Sequence, residues 1–183
     1  MISIGITGII GSGKSMLSQV FRSMDIPVYD ADTRAKELMN NNFAIRIRLK
    51  LEFGEETYRN NKINKEYLRK IVFGNEKNRQ IINSIVHPAV KNDFIAWREK
   101  TGAKIVAIES AIIFDAKLED ILDKIIFVEA AEDILVKRIC FRDNVSEEIA
   151  LNKIKLQREN AGREKCDPIF INDRNHSLIE QAE

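Results

Sequence analysis

Cysteine is nearly absent, with Cys140 and Cys166 the only two in 183 residues. Two thiols cannot make a multi-bridge disulfide framework, so a hydrophobic core must hold the fold, and a reducing compartment suits the chain. Only three prolines and eight glycines are present. There is no Pro/Gly/Ser-rich linker, low-complexity tract or internal repeat, which points to one folding unit. No apolar run approaches the roughly 18 residues of a membrane span. The start, Met1 to Ile6, has no basic segment before its apolar residues, so it does not read as a signal peptide. Net charge is also lacking: 29 Lys+Arg against 28 Asp+Glu leave +1. A dedicated nucleic-acid binder normally carries a basic excess, so nucleic acid is not an expected partner, and neither is a membrane. A soluble cytoplasmic globular protein, 44% hydrophobic and able to bury a real core, is the expectation.

Hydrophobic spacing supplies the architecture. Ile2 to Thr7 alternates around Ile2, Ile4 and Ile6 and runs into glycines, as a buried strand entering a turn does. Met16, Leu17, Val20, Phe21 and Met24 then recur at helical spacing. Ile26 to Tyr29 is a second short strand, ending on Asp30-Ala31-Asp32. Residues 32 to about 101 read as mostly helical, with breaks near Gly54 and Gly74 and an interruption at Asn40-Asn41-Asn42. Lys104–Glu109 and Lys124–Glu129 are compact β-branched runs, suited to strands buried on both faces. A helix through Ile134 to Ile139, another over Ser146 to Ala161, a strand at Ile169–Ile171 and a short terminal helix complete the chain. Strands separated by helices predict a parallel α/β sheet, and the long helical stretch reads as an inserted lobe.

The small net charge conceals a pattern. Residues 34–79 hold 12 basic and 6 acidic side chains, residues 105–135 hold 2 and 8, and residues 137–165 hold 8 and 5. Most of these charges belong to solvated helix faces. Two basic segments flanking a phosphate site would nevertheless suit polyanionic ligands.

That phosphate site is the strongest signal. Gly8-Ile9-Ile10-Gly11-Ser12-Gly13-Lys14-Ser15 matches G-x-x-x-x-G-K-[ST] in full, between an expected strand and an expected helix. Glycines let such a loop curl until successive backbone N–H groups face phosphate oxygens, and the helix adds the positive end of its dipole. Gly11, Ser12, Gly13, Lys14, Ser15 and Met16 are therefore expected to bind ATP, with Lys14 on the β- and γ-phosphates and the Ser15 hydroxyl on Mg²⁺. A GTPase would need N-K-x-D, which Asn61-Lys62-Ile63-Asn64 and Asn152-Lys153-Ile154-Lys155 both miss, and D-x-x-G is absent. A motor or transporter ATPase normally needs a longer chain. A small-molecule kinase fits best.

A kinase needs a group to orient the acceptor hydroxyl and take its proton. Asp32 is the candidate base and Asp30 a ligand or support for it, although Asp32 could equally cap a helix over Thr33–Leu38. Arg138 and Arg142, four apart, are expected on one face of a helix–loop–helix lid that closes over the transferred phosphoryl group, with Arg158 and Arg163 further along. Surface pairing, such as Arg142 with Glu147, is the plainer alternative. Glu109 could hold Mg²⁺ through water or simply end its strand in solvent. His87, before Pro88 at an expected helix boundary, is either a substrate contact or a structural residue, and His176 receives no role.

Taken together, Thr7–Ser15, Asp30-Ala31-Asp32, His87-Pro88, Lys137-Arg138 and Arg142-Asp143 resemble dephospho-CoA kinases, over about residues 2–173. The family's late A-D-x-x-I-x-N pattern is partly echoed by Cys166-Asp167 and Asn172. The resemblance implies a three-layer P-loop NTPase fold with a five-stranded parallel sheet. Its parts would be a core of 1–31, 104–136 and 166–183, a helical CoA-binding lobe at about 32–103 and a lid at about 137–165. It implies ATP-dependent phosphorylation of the ribose 3′-hydroxyl of dephospho-CoA, the last step of CoA synthesis, with Asp32 as base. Three positions depart from the family: Ile9 replaces a glycine, Ala111–Asp115 replaces P-L-L-F-E, and Lys36 stands where Arg is common. Lys36 and His87 are carried as substrate contacts. A kinase for nucleoside monophosphates and a non-catalytic ATP-binding regulator are the competing functions, and a monomer or small homo-oligomer is expected.

Overall fold

The computed structural model describes residues 1–158 and 161–183. Its central element is β1 (Ile2–Thr7), flanked on both sides by parallel partners: β5 (Ile105–Glu109) and β6 (Lys124–Glu129). β2 (Val28–Asp30) adds beyond β5, and β7 (Ile169–Ile171) adds beyond β6. The order β2-β5-β1-β6-β7 makes a five-stranded, wholly parallel sheet.

The apolar runs follow from that geometry. Alternate residues of a strand face opposite sides of its sheet, so a strand covered on both sides must be apolar at every position. In β6, Ile126 and Val128 join a core cluster with Ile6, Leu17, Phe21 and Leu178. That cluster is supplied by α1 (Lys14–Ser23) and α8 (Leu178–Ala182). Phe127, between them, joins Ile9, Leu135, Ile139, Ala150 and Ile154 on the other side. α6 (Glu132–Asp143) and α7 (Glu147–Arg158) provide that second cover. The helix expected over 146–161 crosses residues 159 and 160, which lie outside the described residues.

The chain divides into two compact units, one of Met1–Asp30 with Thr101–Glu183, the other of Ala31–Lys100. The second is built from α2 (Ala31–Asn41), α3 (Phe43–Phe53), α4 (Lys65–Val72) and most of α5 (Glu76–Thr101). Ile45, Leu49 and Ile85 form its buried centre. The asparagine run does interrupt a helix: Asn42 caps α3 by accepting from the Ile45 N–H at 3.1 Å.

Three local expectations change. The second strand ends at Asp30 rather than Tyr29. A hairpin of β3 (Tyr58–Arg59) and β4 (Lys62–Ile63) appears where only helix and breaks were expected. Its strands are too short for periodicity, but Asn60 and Asn61, with φ of 51° and 61°, make the left-handed two-residue turn such hairpins favour. His87-Pro88 is no helix boundary, because α5 runs through it from Glu76 to Thr101. Proline removes one helical hydrogen bond, but the buried positions Ile85, Val86, Val90 and Phe94 keep a continuous apolar stripe on either side of it. Among the described residues no helix is long and apolar enough to cross a membrane.

Ile6 is fully buried at the centre of the sheet. Ile6→Ala should therefore cost about 2–5 kcal/mol, seen as a lower denaturant midpoint in chemical unfolding followed by circular dichroism.

Candidate active site

The loop from Gly8 to Gly13 follows the central strand and ends at the N-terminus of α1, where Gly13 occupies the cap with φ 101°. Two glycines are demanded by space as well as by φ. At Gly8, with φ 145°, a Cβ would run into the Val128 carbonyl oxygen, and at Gly13 it would collide with Asn172 Nδ2. At Gly8 the neighbour is backbone and cannot yield, whereas at Gly13 it is the amide end of a buried side chain that an added methyl would have to displace.

The loop's carbonyls are held by side chains from three directions. Lys14 Nζ donates to the Gly8 carbonyl at 2.8 Å and the Ile9 carbonyl at 3.1 Å. Arg138 Nη1 donates to the carbonyls of Gly11 and Ser12, at 3.1 and 3.3 Å, while its Nη2 reaches the Asn172 carbonyl at 3.3 Å. The buried Asn172 side chain donates to the same Ser12 carbonyl at 2.7 Å and lies 3.9 Å from Met16 Sδ. The Ser12 hydroxyl is fully buried with no hydrogen-bond partner among the described residues.

Glu109, left open from sequence, acquires a defined place. Its two carboxylate oxygens accept from Ser15 Oγ and Ser18 Oγ, each at 2.7 Å. Asp30 is its register partner on the neighbouring strand, so two carboxylates stand side by side at the C-terminal ends of β2 and β5. Hydroxyl and carboxylate oxygens beside a phosphate loop are the hard donors that Mg²⁺ prefers. Hence Ser15 and Glu109 fit that ion.

The arginines expected together on one lid face behave differently from one another. Arg138 is half-buried and engaged by loop carbonyls. Arg142 is exposed and pairs through two bonds, 2.7 and 3.2 Å, with the adjacent Asp143 rather than with Glu147. The Arg142 guanidinium and the Lys153 ammonium together hold the Asp143 carboxyl well below the usual carboxylate range. Arg158 pairs with Glu132 at 2.6 Å, and Arg163 grips Glu129 with two bonds. Burial pushes the Cys166 thiol up to about 11, which keeps it protonated and inert.

Asp32 lies in the first turn of α2, which begins one residue earlier at Ala31, so it is not the cap ahead of that helix. Lys36 lies one turn further on, and both are exposed. His87 is half-buried within α5. Asp115 is exposed, and His176 bonds to Asp173 at 2.8 Å. A cleft of about 500 Å³ lies between α1 and the 172–179 segment, lined by Gln19, Ser23, Asp173, His176 and Leu178, and it reaches the candidate ATP residues at Met16. Sequence reasoning missed the Arg138–Asn172 brace, although the late I-x-N echo marked one half of it.

A parallel sheet whose central strand opens into this loop, with an acid from the adjacent strand on the hydroxyl that follows the lysine, defines a P-loop kinase. Comparison with known proteins narrows the class. The family model for dephospho-CoA kinase matches residues 2–178. The dephospho-CoA kinase of Porphyromonas gingivalis is 36% identical, over 100% of this chain and 91% of its own. The crystal structure of TT1252 from Thermus thermophilus superposes with a TM-score of 0.81 at 27% identity, covering 99% of this chain and 93% of that one. A dephospho-CoA kinase from Campylobacter jejuni shares the fold, at a TM-score of 0.70 and 22% identity, over 98% of this chain and 92% of that one. This chain belongs to the dephospho-CoA kinase family.

Gly13→Ala should lower kcat/KM for ATP at least about tenfold. The positive φ alone costs an L-residue about 1–2 kcal/mol, and the new methyl displaces Asn172. Gly54→Ala, also at positive φ but with nothing within 4 Å of the added carbon, should cost stability only and leave ATP use unchanged.

Proposed function

We propose that this protein transfers the γ-phosphoryl group of ATP to the ribose 3′-hydroxyl of dephospho-CoA, giving CoA and ADP in the final step of CoA biosynthesis. Membership of the dephospho-CoA kinase family carries the reading. The loop geometry supports the chemistry: Lys14, Arg138 and Asn172 brace its carbonyls and so hold the curve that a phosphate-binding loop needs. The buried Ser12 hydroxyl, without a hydrogen-bond partner among the described residues, lies within the same loop.

Roles follow from position. Gly11 to Met16 bind ATP, with its nucleoside in the cleft beside Met16 and Asn172. Lys14 leaves its resting contacts on the Gly8 and Ile9 carbonyls to meet the β- and γ-phosphates. Ser15 and Glu109 hold Mg²⁺, which supplies charge neutralisation on those phosphates. Asp32 orients the acceptor hydroxyl and takes its proton, and Lys36, one helical turn away, offers a cation to the substrate's own phosphates. The Ala31–Lys100 unit serves as the acceptor lobe and residues 137–165 as the lid. Arg138 keeps the loop in shape, while Arg142 must exchange Asp143 for a phosphoryl oxygen before it can assist transfer. His87 contributes to the acceptor lobe. The enzyme works in the cytoplasm on small molecules, without nucleic acid or membrane.

A panel of acceptors incubated with ATP and Mg²⁺ tests the assignment. Dephospho-CoA should be phosphorylated in preference to nucleoside monophosphates. Turnover of a monophosphate with dephospho-CoA untouched would replace this reading. Asp32→Asn should lower kcat by about 10²-fold or more, the scale of a lost general base, whereas activity within a few-fold of the parent would remove Asp32 from the chemistry.

A further inference from the structure

Gln157 lies on the exposed side of α7, near the C-terminal end of the helix. Its Oε1 nevertheless accepts a 2.6 Å hydrogen bond from the Ile10 N–H, 147 residues away in the chain. Ile10 belongs to the phosphate loop, and the residue before it is Ile9. Ile9 is 5% exposed and packs into the cluster of Leu135, Ile139, Ala150 and Ile154 from α6 and α7. Two consecutive loop residues are thus fastened to the same helix pair, one by its side chain and the next by its backbone. The helix that presents Gln157 is itself anchored, by Arg158 on Glu132 at 2.6 Å and Lys153 on Asp143 at 2.8 Å.

We propose that Gln157 is a positioning residue for the phosphate loop: by holding the Ile10 N–H it sets the curve of the loop's first half and prepares it for a triphosphate. Lys14, Arg138 and Asn172 secure carbonyls of the loop; Gln157 secures a backbone N–H. Ordering the loop before ATP arrives removes an entropic cost from binding. The role needs an acceptor atom at the reach of glutamine. Methionine has the length and a similar helix propensity, but its thioether is only a weak acceptor.

The inference rests on the reading of the loop as an ATP site, not on the identity of the acceptor. Calorimetric titration of the full chain with Mg-ATP, no acceptor present, compares the parent with Gln157→Met and Asn152→Met, the latter an exposed position on the same helix. Gln157→Met should weaken ATP binding about 3- to 10-fold, the scale of one hydrogen bond. Its melting temperature should fall by no more than a few degrees, and exchange of the Ile10 amide should accelerate. In steady state the KM for ATP rises while that for dephospho-CoA holds. Asn152→Met should bind ATP within twofold of the parent. ATP binding within twofold for Gln157→Met, unchanged exchange at Ile10, or an equal loss in Asn152→Met would each overturn the role. A parent that binds no ATP overturns it together with the loop assignment. A parent that binds ATP yet leaves dephospho-CoA unphosphorylated removes the proposed function alone, and the titration still decides Gln157.

Discussion

A loop that turns its N–H groups toward one centre must turn its carbonyls away from it, and those carbonyls need donors of their own. A buried carbonyl without one costs about as much as a lost hydrogen bond. In this chain the donors come from three stretches, one next to the loop and two distant: Lys14 just past it, Arg138 in α6 and Asn172 just after β7. The sheet and both helical covers bring these stretches together. Core packing around Ile6, Leu17 and Phe127 is thereby a condition for the loop's shape, since a shift of β7 or α6 would withdraw a donor.

The same economy governs charge. Carboxylates hold three of the arginines in the 137–165 segment or next to it: Arg142 on Asp143, Arg158 on Glu132 and Arg163 on Glu129. These pairs are exposed and contribute little stability individually. Their consequence is electrostatic: each guanidinium is pre-neutralised and must exchange partners before it can serve a phosphoryl group. Among the described residues Arg138 is the one of the four bonded to neutral carbonyls, and those carbonyls belong to the loop. The +1 net charge of the chain reflects this local pairing more than an indifference to anions.

Much of the fold was legible because strands covered on both faces leave a dense apolar signature. Ile2–Thr7, Lys124–Glu129 and Ile169–Ile171 were readable to the residue. The hairpin at Tyr58–Ile63 was not, because two-residue strands have no period and only Asn60-Asn61 betrays the turn. Pro88 misled for a different reason: local chemistry says that a helix ends there, and the buried stripe from Ile85 to Phe94 overrides it. Within the site, Lys14 and Ser15 were legible from spacing alone, while Glu109 stayed ambiguous because a strand-terminal acid looks the same whether or not a serine waits for it.

The amino-acid sequence by itself determined the phosphate loop, the parallel sheet and the class of chemistry, since all three rest on short-range spacing: glycines for positive φ, a lysine and a hydroxyl at fixed offsets, and apolar runs. Only the tertiary structure decided which residues serve that loop. Arg138, Asn172, Glu109 and Gln157 lie between 91 and 160 residues from their partners in the loop and α1. Separations of that length carry no local pattern. A hydrogen bond between such residues exists only once the sheet has set its strand order and the packed helices have brought donor and acceptor within 3 Å or so.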